Sequence, residues 1–212
     1  MSYYTDIEYS EELPINAKKD LRMLFFDSFL KDCKKILDIG CSLGRIISLD
    51  PRNIEGIDFD KKALCIAKKK GYKVHFMDAS KKLLFKDMSF DGVFCSHLIE
   101  HLDNPLTLMK EVNRILKKNG KAVFITPDYI MTSRKYHNGF WCDYTHKTPF
   151  IPESLESLAY DAGFSKYRVY HFPGKGFRNL MRIGLLSKDQ WIKLEKLPFI
   201  WKGQDLILEV IK

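Results

Sequence analysis

Three aspartates, Asp38, Asp58 and Asp78, recur at twenty-residue intervals, each at or near the end of a short apolar run. The first leads into Gly40-Cys41-Ser42-Leu43-Gly44, and glycines at such a turn reach positive φ and let the backbone lie close to a ligand. At the end of a strand, a carboxylate such as Asp58 can accept hydrogen bonds from both hydroxyls of a ribose. Asp78 is followed by Ala79, and an acceptor carboxylate beside a backbone N–H can read the amino edge of an adenine ring. The chemistry these residues suggest is recognition of a nucleoside.

Two histidine-bearing segments could add reactivity. In Phe140-Trp141-Cys142-Asp143-Tyr144-Thr145-His146-Lys147-Thr148-Pro149-Phe150, Asp143 and His146 are three residues apart. That is close enough for a hydrogen-bonded pair in which the carboxylate orients the imidazole. The alternative is a loop whose aromatics plug a sheet edge while Asp143 and His146 satisfy local backbone groups. His97-Leu98-Ile99-Glu100-His101 matches H-x-x-E-H, in which two histidines on one helix face hold zinc and the glutamate acts as base. Here the segment directly follows an apolar strand and is cut off by Asn104-Pro105, which leaves little room for a long metal-bearing helix. We expect no metal. His101 keeps two readings, contact with a substrate or ordering of its loop.

The elements that position these residues follow from periodicity. Short apolar runs at 34–39, 54–59, 73–77, 92–96 and 122–126 read as strands. Between them, 60–70 and 105–118 carry apolar residues at three- and four-residue spacing, with Asp60 and Asn104 before them and Gly71 and Gly120 after, as helix starts and stops require. Alternation of this kind implies a parallel sheet covered by helices on both faces. Residues 17–31 suit an amphipathic helix leading into the first strand. Residues 129–152 lack periodicity and form a candidate substrate loop, since long loops in compact domains are usually functional or disordered. A helix at 152–162, a strand at 167–171, a basic helical excursion within 175–202 and a last strand at 205–211 complete the chain.

With 212 residues, 45% of them hydrophobic, the chain suits one domain over 1–212. The first residues carry no basic patch followed by an apolar stretch, and no apolar run approaches the roughly 18 residues that span a bilayer, so a cytoplasmic protein is expected. Five cysteines at scattered spacings include no Cys-x-x-Cys pair, which argues for reduced, mostly buried thiols. The net charge of +8 is spread along the chain. It reads as a solvated lysine-rich surface, with nucleic acid a weaker alternative resting on charge alone. In the 175–202 region the basic residues could meet a phosphate-bearing acceptor, or simply form a solvated face over Leu180, Ile183, Leu185 and Leu186.

Residues 34–128 resemble the class I S-adenosylmethionine-dependent methyltransferases, in particular their type 11 and type 12 groups. The matching residues are Leu37-Asp38-Ile39-Gly40-Cys41, Gly56-Ile57-Asp58, Met77-Asp78-Ala79, Ser89-Phe90-Asp91-Gly92-Val93, Glu100-His101-Leu102 and Ile115-Leu116-Lys117-Lys118-Asn119-Gly120. The resemblance implies an α/β fold, a Rossmann-like three-layer sandwich with a mostly parallel seven-stranded sheet and an antiparallel final strand. It also implies S-adenosylmethionine as cofactor and S-adenosylhomocysteine as product. On this reading Asp38, Gly40, Cys41, Ser42 and Gly44 lie along the methionine part, and Asp58 with Phe59 holds the ribose side. Asp78 and Ala79 contact the adenine, and Ser96 and His97 border the cleft.

The chain departs from the family pattern at Ser42, where a further glycine is common. The segment 140–150 is similar to one in a subset associated with methylating sugars and related glycans, which implies a small hydroxylated acceptor, with His146, Asp143 or His101 beside it. Trp141, Tyr144 and Phe150 suit stacking on a sugar face, and equally on a base or a quinone ring. A nicotinamide-dependent oxidoreductase would need G-x-G-x-x-G, and this chain has no glycine at 42 or 45. A non-catalytic module on the same fold is the remaining alternative.

Overall fold

The structure is a computed structural model, and it describes residues 26, 28–135, 139–197 and 202–212, apart from the side chains of residues 134, 135, 175 and 182. Most of the helix expected over 17–31 lies outside the described residues; Phe26 and Ser28 to Leu30 are helical.

Strands and helices are interleaved through the first part of the chain: β1 (Ile36–Ile39), β2 (Ile54–Asp58), α1 (Lys61–Lys69), β3 (Val74–Phe76), β4 (Phe90–Ser96), α2 (Pro105–Ile115) and β5 (Leu116–Pro127). Beyond β5 come α3 (Tyr129–Lys135), α4 (Pro152–Asp161), β6 (Lys166–Pro173), α5 (Lys175–Arg182), α6 (Lys188–Leu194) and β7 (Lys202–Ile211). The sheet order is β3-β2-β1-β4-β5-β7-β6. Neighbours are parallel except at β7, which runs antiparallel to both β5 and β6. The order reverses between β1 and β4, and ligands in open α/β sheets bind at such a switch point, outside the carboxyl ends of the strands.

Two apolar clusters cover the two faces. One joins Leu37, Ile39, Val93 and Phe124 to Leu108, Met109 and Val112 of α2 and to Leu155 and Ala159 of α4. The other joins Ile36, Phe94, Val123 and Ile207 to Leu64 and Ala67 of α1, to Met181 of α5 and to Trp191 of α6. Residues adjacent along β1 thus go to opposite clusters, as the two-residue period of a strand buried on both faces demands.

Local signals set the helix ends. Asp60 accepts from the backbone amides of Lys62 (2.8 Å) and Ala63 (3.2 Å) and caps α1, and Gly71 at φ 81 stops it. The second helix ends at Ile115, three residues earlier than its periodicity suggests. Leu116 pairs with Phe90 in the sheet and Lys121 pairs with Gly92. Residues 117–120 are therefore a bulge inside β5, with Asn119 at φ 62. Burying Leu116 against the sheet overrides the helical pattern.

Two further expectations change. The 129–152 stretch is not without structure: it holds α3 and a 3-10 turn at Gly139–Cys142. Of the four apolar residues expected beneath the basic face, Leu186 is buried, whereas Leu180, Ile183 and Leu185 are exposed, because α5 turns Met181 inward and Gly184 ends the helix at φ 76. Of the five free cysteines, Cys41 and Cys95 are buried, Cys33 is half-buried, and Cys65 and Cys142 are exposed. No described helix is long and apolar enough to cross a membrane.

Candidate functional site

The turn after β1 is built by hydrogen bonding to β2. The amides of Gly40 and Cys41 both donate to the Ile57 carbonyl, at 2.9 and 3.0 Å, while Gly40, Ser42 and Gly44 take φ values of 77, 46 and 79. Ser42 therefore takes a left-handed backbone conformation that favours glycine, at a cost of about 1 kcal/mol. Gly44 has a steric reason to be glycine, since a Cβ there would sit 2.5 Å from Cδ2 of Tyr72. The chain then makes a single 3-10 turn, Ile47–Leu49. A pyrophosphate needs the N-terminus of a full helix at this place, and this chain has none.

Asp58 closes the turn from the other side. One oxygen accepts the Ser42 amide at 2.8 Å and the other the Asp60 amide at 2.8 Å. Burial pushes its pKa up, while these amides work in the opposite direction. Asp38, one strand over, is 3% exposed; burial, reinforced by the nearby Asp58 charge, pushes its carboxyl up to about 8. Asp78 follows β3, where Met77 donates to the Asp58 carbonyl at 3.0 Å. Hydrogen bonds from the Ser80 hydroxyl and amide hold Asp78 below the usual carboxylate range. Ser96 ends β4 with a buried hydroxyl that makes no hydrogen bond, and His97 turns away from the strand at φ 51. The Leu98 side chain then packs 3.5 Å from the place of a Cβ on Gly40.

The 140–150 segment docks on this same turn. Lys147 and Thr148 amides donate to the Glu100 carbonyl at 2.8 and 3.0 Å, and the Thr148 hydroxyl donates to Leu102 O at 2.9 Å. Asp143 and His146 do not form the expected pair: Oδ2 and Nε2 are 3.8 Å apart. Asp143 Oδ1 instead accepts the Thr145 hydroxyl at 2.6 Å and the Thr145 amide at 2.9 Å. Burial raises the Asp143 carboxyl, but these bonds outweigh it and leave it below its ordinary value. The Thr145 oxygen lies 2.9 Å from His101 Nδ1. Its one proton goes to Asp143, so it accepts from Nδ1–H of His101.

The result is a line Asp143–Thr145–His101, with the His146 ring 4.8 Å from that of His101. His146 Nδ1 faces the Phe140 carbonyl at 2.6 Å. Trp141 and Tyr144 are exposed, but Phe150 is buried and cannot offer a stacking face.

A family model described as a methyltransferase domain matches residues 9–169. The chain belongs to this methyltransferase family. Its fold is that of the class I S-adenosylmethionine-dependent enzymes. An S-adenosylmethionine-dependent methyltransferase of Archaeoglobus fulgidus superposes with a TM-score of 0.68 at 24% identity, covering 90% of this chain and 91% of that one. Phosphoethanolamine N-methyltransferase 2 of Haemonchus contortus, solved with S-adenosylmethionine, gives 0.58 at 18% identity over 84% of this chain and 48% of that one. Both likenesses concern the fold. A ubiquinone biosynthesis O-methyltransferase of Dechloromonas aromatica is 30% identical over 127 residues, 55% of either chain. The chain thus spans about half the length of the curated relatives it matches.

For a methyltransferase, the carboxyl edge of this sheet fits an adenosyl group. Asp58 accepts from the Ser42 and Asp60 amides, with the Phe59 amide also facing it, and a carboxylate has about four acceptor positions, so capacity remains for a ribose hydroxyl. Phe59 beside it is 54% exposed and presents an apolar face, and Ser96 has its unmatched hydroxyl. The residues expected to hold cofactor, Asp38, Gly40, Cys41, Ser42, Gly44, Asp58, Phe59, Asp78, Ala79, Ser96 and His97, all fall at or just past the ends of β1 to β4.

Sequence reasoning missed Thr145, which links Asp143 to His101, and gave no role in this cluster to the fully buried Glu100, named there as a potential base and as part of the Glu100-His101-Leu102 match. The Asp-x-Thr spacing of 143 and 145 was the available signal, since aspartate commonly bonds the backbone two residues on.

Proposed function

We propose that this methyltransferase transfers the methyl group of S-adenosylmethionine to a hydroxyl of a small, ring-bearing acceptor. The observation that carries the reading is the Asp143–Thr145–His101 line, which fixes His101 in the tautomer with Nδ1 protonated and the lone pair on Nε2. Bound at the ends of β1 to β4, the cofactor would supply an activated methyl. Asp58 would hold its ribose, Asp78 and Ala79 its adenine, and Asp38 with the 40–44 turn its charged methionine end.

Methyl transfer is an in-line displacement in which alignment supplies most of the acceleration. A hydroxyl acceptor must in addition lose a proton, which a positioned imidazole can take. Trp141 and Tyr144, exposed beside this cluster, would receive the flat face of the acceptor. The relatives named for ubiquinone biosynthesis are O-methyltransferases, which supports oxygen as the atom methylated. A saccharide, suggested by the likeness of the 140–150 segment, remains one of the hydroxylated rings to be tried.

The test is incorporation of labelled methyl from S-adenosylmethionine into a panel of catechols, quinols, sugars and amines. A methyl ether from a hydroxylated ring is the expected product. Methylation of amines alone, or of no acceptor, would overturn the reading.

A further inference from the structure

We infer that Glu100, His101 and His146 form a site for one divalent cation of the zinc or cobalt class, which takes the acceptor hydroxyl as a further ligand. A carboxylate oxygen of Glu100 and a ring nitrogen from each histidine lie within 4.8 Å of one another. The site rests on the proposed acceptor cleft and names what activates the hydroxyl there.

The protons decide the chemistry. His146 Nδ1 faces a carbonyl at 2.6 Å, which can only accept, so Nδ1 carries the proton and Nε2 a lone pair. His101 Nδ1 is protonated by the same logic, because the Thr145 hydroxyl gives its own proton to Asp143. Glu100 is 0% exposed and accepts from the Thr126 hydroxyl at 3.1 Å through one oxygen. Its other oxygen is buried with no hydrogen bond; His97 Nδ1 is 3.4 Å away. Asp143 adds an oxygen 3.8 Å from His146 Nε2. The groups that meet here are acceptors, with the identified protons pointed outward, and a cation is the complement of such a set.

Each ligand also has an outer partner that fixes it: Thr145 and Asp143 for His101, the Phe140 carbonyl for His146, Thr126 for Glu100. Metal ligands need such support. Two imidazoles and a carboxylate with an open position are a catalytic zinc-type set. A hydroxyl bound there gives its proton to solvent at lower pH than it would free, so His101 serves as ligand rather than base while the cation is bound.

This revises the expectation of no metal drawn from the H-x-x-E-H pattern. Ile99–His101 is a 3-10 turn, so the two histidines of that pattern do not share one face of an α-helix. The missing ligand comes from the distant His146, which a local pattern does not contain.

The test is titration of the chelator-treated full chain with Co²⁺ and Zn²⁺, read by calorimetry and by the visible absorption of bound Co²⁺. One equivalent per chain is expected, with affinity lowered by at least about 100-fold in His101→Ala and His146→Ala, and about 10–100-fold in Thr145→Val. S-adenosylhomocysteine binding by each variant checks its fold. A folded chain that takes up neither cation, or affinity unchanged in both histidine variants, would overturn the site. Cation uptake without methyl transfer would count against the proposed function and leave the site standing.

Discussion

The Ser42 amide donates to the Asp58 carboxylate at 2.8 Å, so the group proposed to hold the ribose also holds the turn beneath the methionine. One side chain links two halves of a ligand site. Asp58→Ala should weaken S-adenosylhomocysteine binding by at least about tenfold, roughly 1.4 kcal/mol, with Asp58→Asn intermediate. Calorimetric titration measures it, and equal affinity in wild type and Asp58→Ala would remove Asp58 from the site.

Ser42 itself tolerates glycine better than a branched residue. Ser42→Gly relieves about 1 kcal/mol of left-handed strain and loses roughly 0.5–1 kcal/mol to unfolded-chain entropy, leaving stability nearly unchanged. Ser42→Val should cost about 1–2 kcal/mol. Urea denaturation of the three proteins reads the difference, and a neutral Ser42→Val would mean that the turn relaxes.

Asp38, with its carboxyl pushed up to about 8, is protonated in the folded chain at neutral pH. An unfolded aspartate has released its proton above about pH 4. Between these values the native state binds more protons, so stability declines as pH rises. Melting temperature followed across this window should fall less steeply in Asp38→Asn than in wild type. The cationic methionine end should also favour the carboxylate, so cofactor binding at pH 7 should release protons, seen as a buffer-dependent binding enthalpy that disappears in Asp38→Asn.

His171 is clamped between Asp128 (Nε2, 2.9 Å) and Glu195 (Nδ1, 3.1 Å). Burial alone would lower its pKa; the two carboxylates outweigh burial and raise it. Its stabilising contribution is therefore complete below about pH 6.5 and lost as pH climbs through the raised folded value. His171→Ala leaves two buried carboxylates without their partner and should cost about 3–5 kcal/mol, by urea denaturation at pH 6. The gap should narrow at higher pH.

Thr145→Val removes the link between Asp143 and His101 without touching the cofactor residues. We expect kcat to drop by about 100-fold with S-adenosylhomocysteine affinity unchanged. A loss confined to KM would assign Thr145 to acceptor binding instead.

The cofactor edge was legible because each of its parts is local: a glycine turn, an acid ending a strand, an aspartate capping α1. The strands along the chain and the helices α1, α2 and α4 followed from period, with capping residues marking α1, for the same reason; the order of the strands in the sheet did not. The acceptor cluster was legible only as a set of residue types. Asp143 and His146 are neighbours in sequence, but Thr145 outcompetes His146 for the carboxylate, and the partner of His101 comes from forty-four residues away. Leu180, Ile183 and Leu185 misled because α5 is short and ends at Gly184, which takes apolar residues off the buried face.

The most direct measurement is calorimetric titration of S-adenosylmethionine and S-adenosylhomocysteine into the purified chain. Saturable binding at one site per chain, with Kd in the range of about 1–100 μM, is the expected result. No heat of binding for either ligand up to about 1 mM would contradict the assignment of the β1 to β4 edge as a cofactor site.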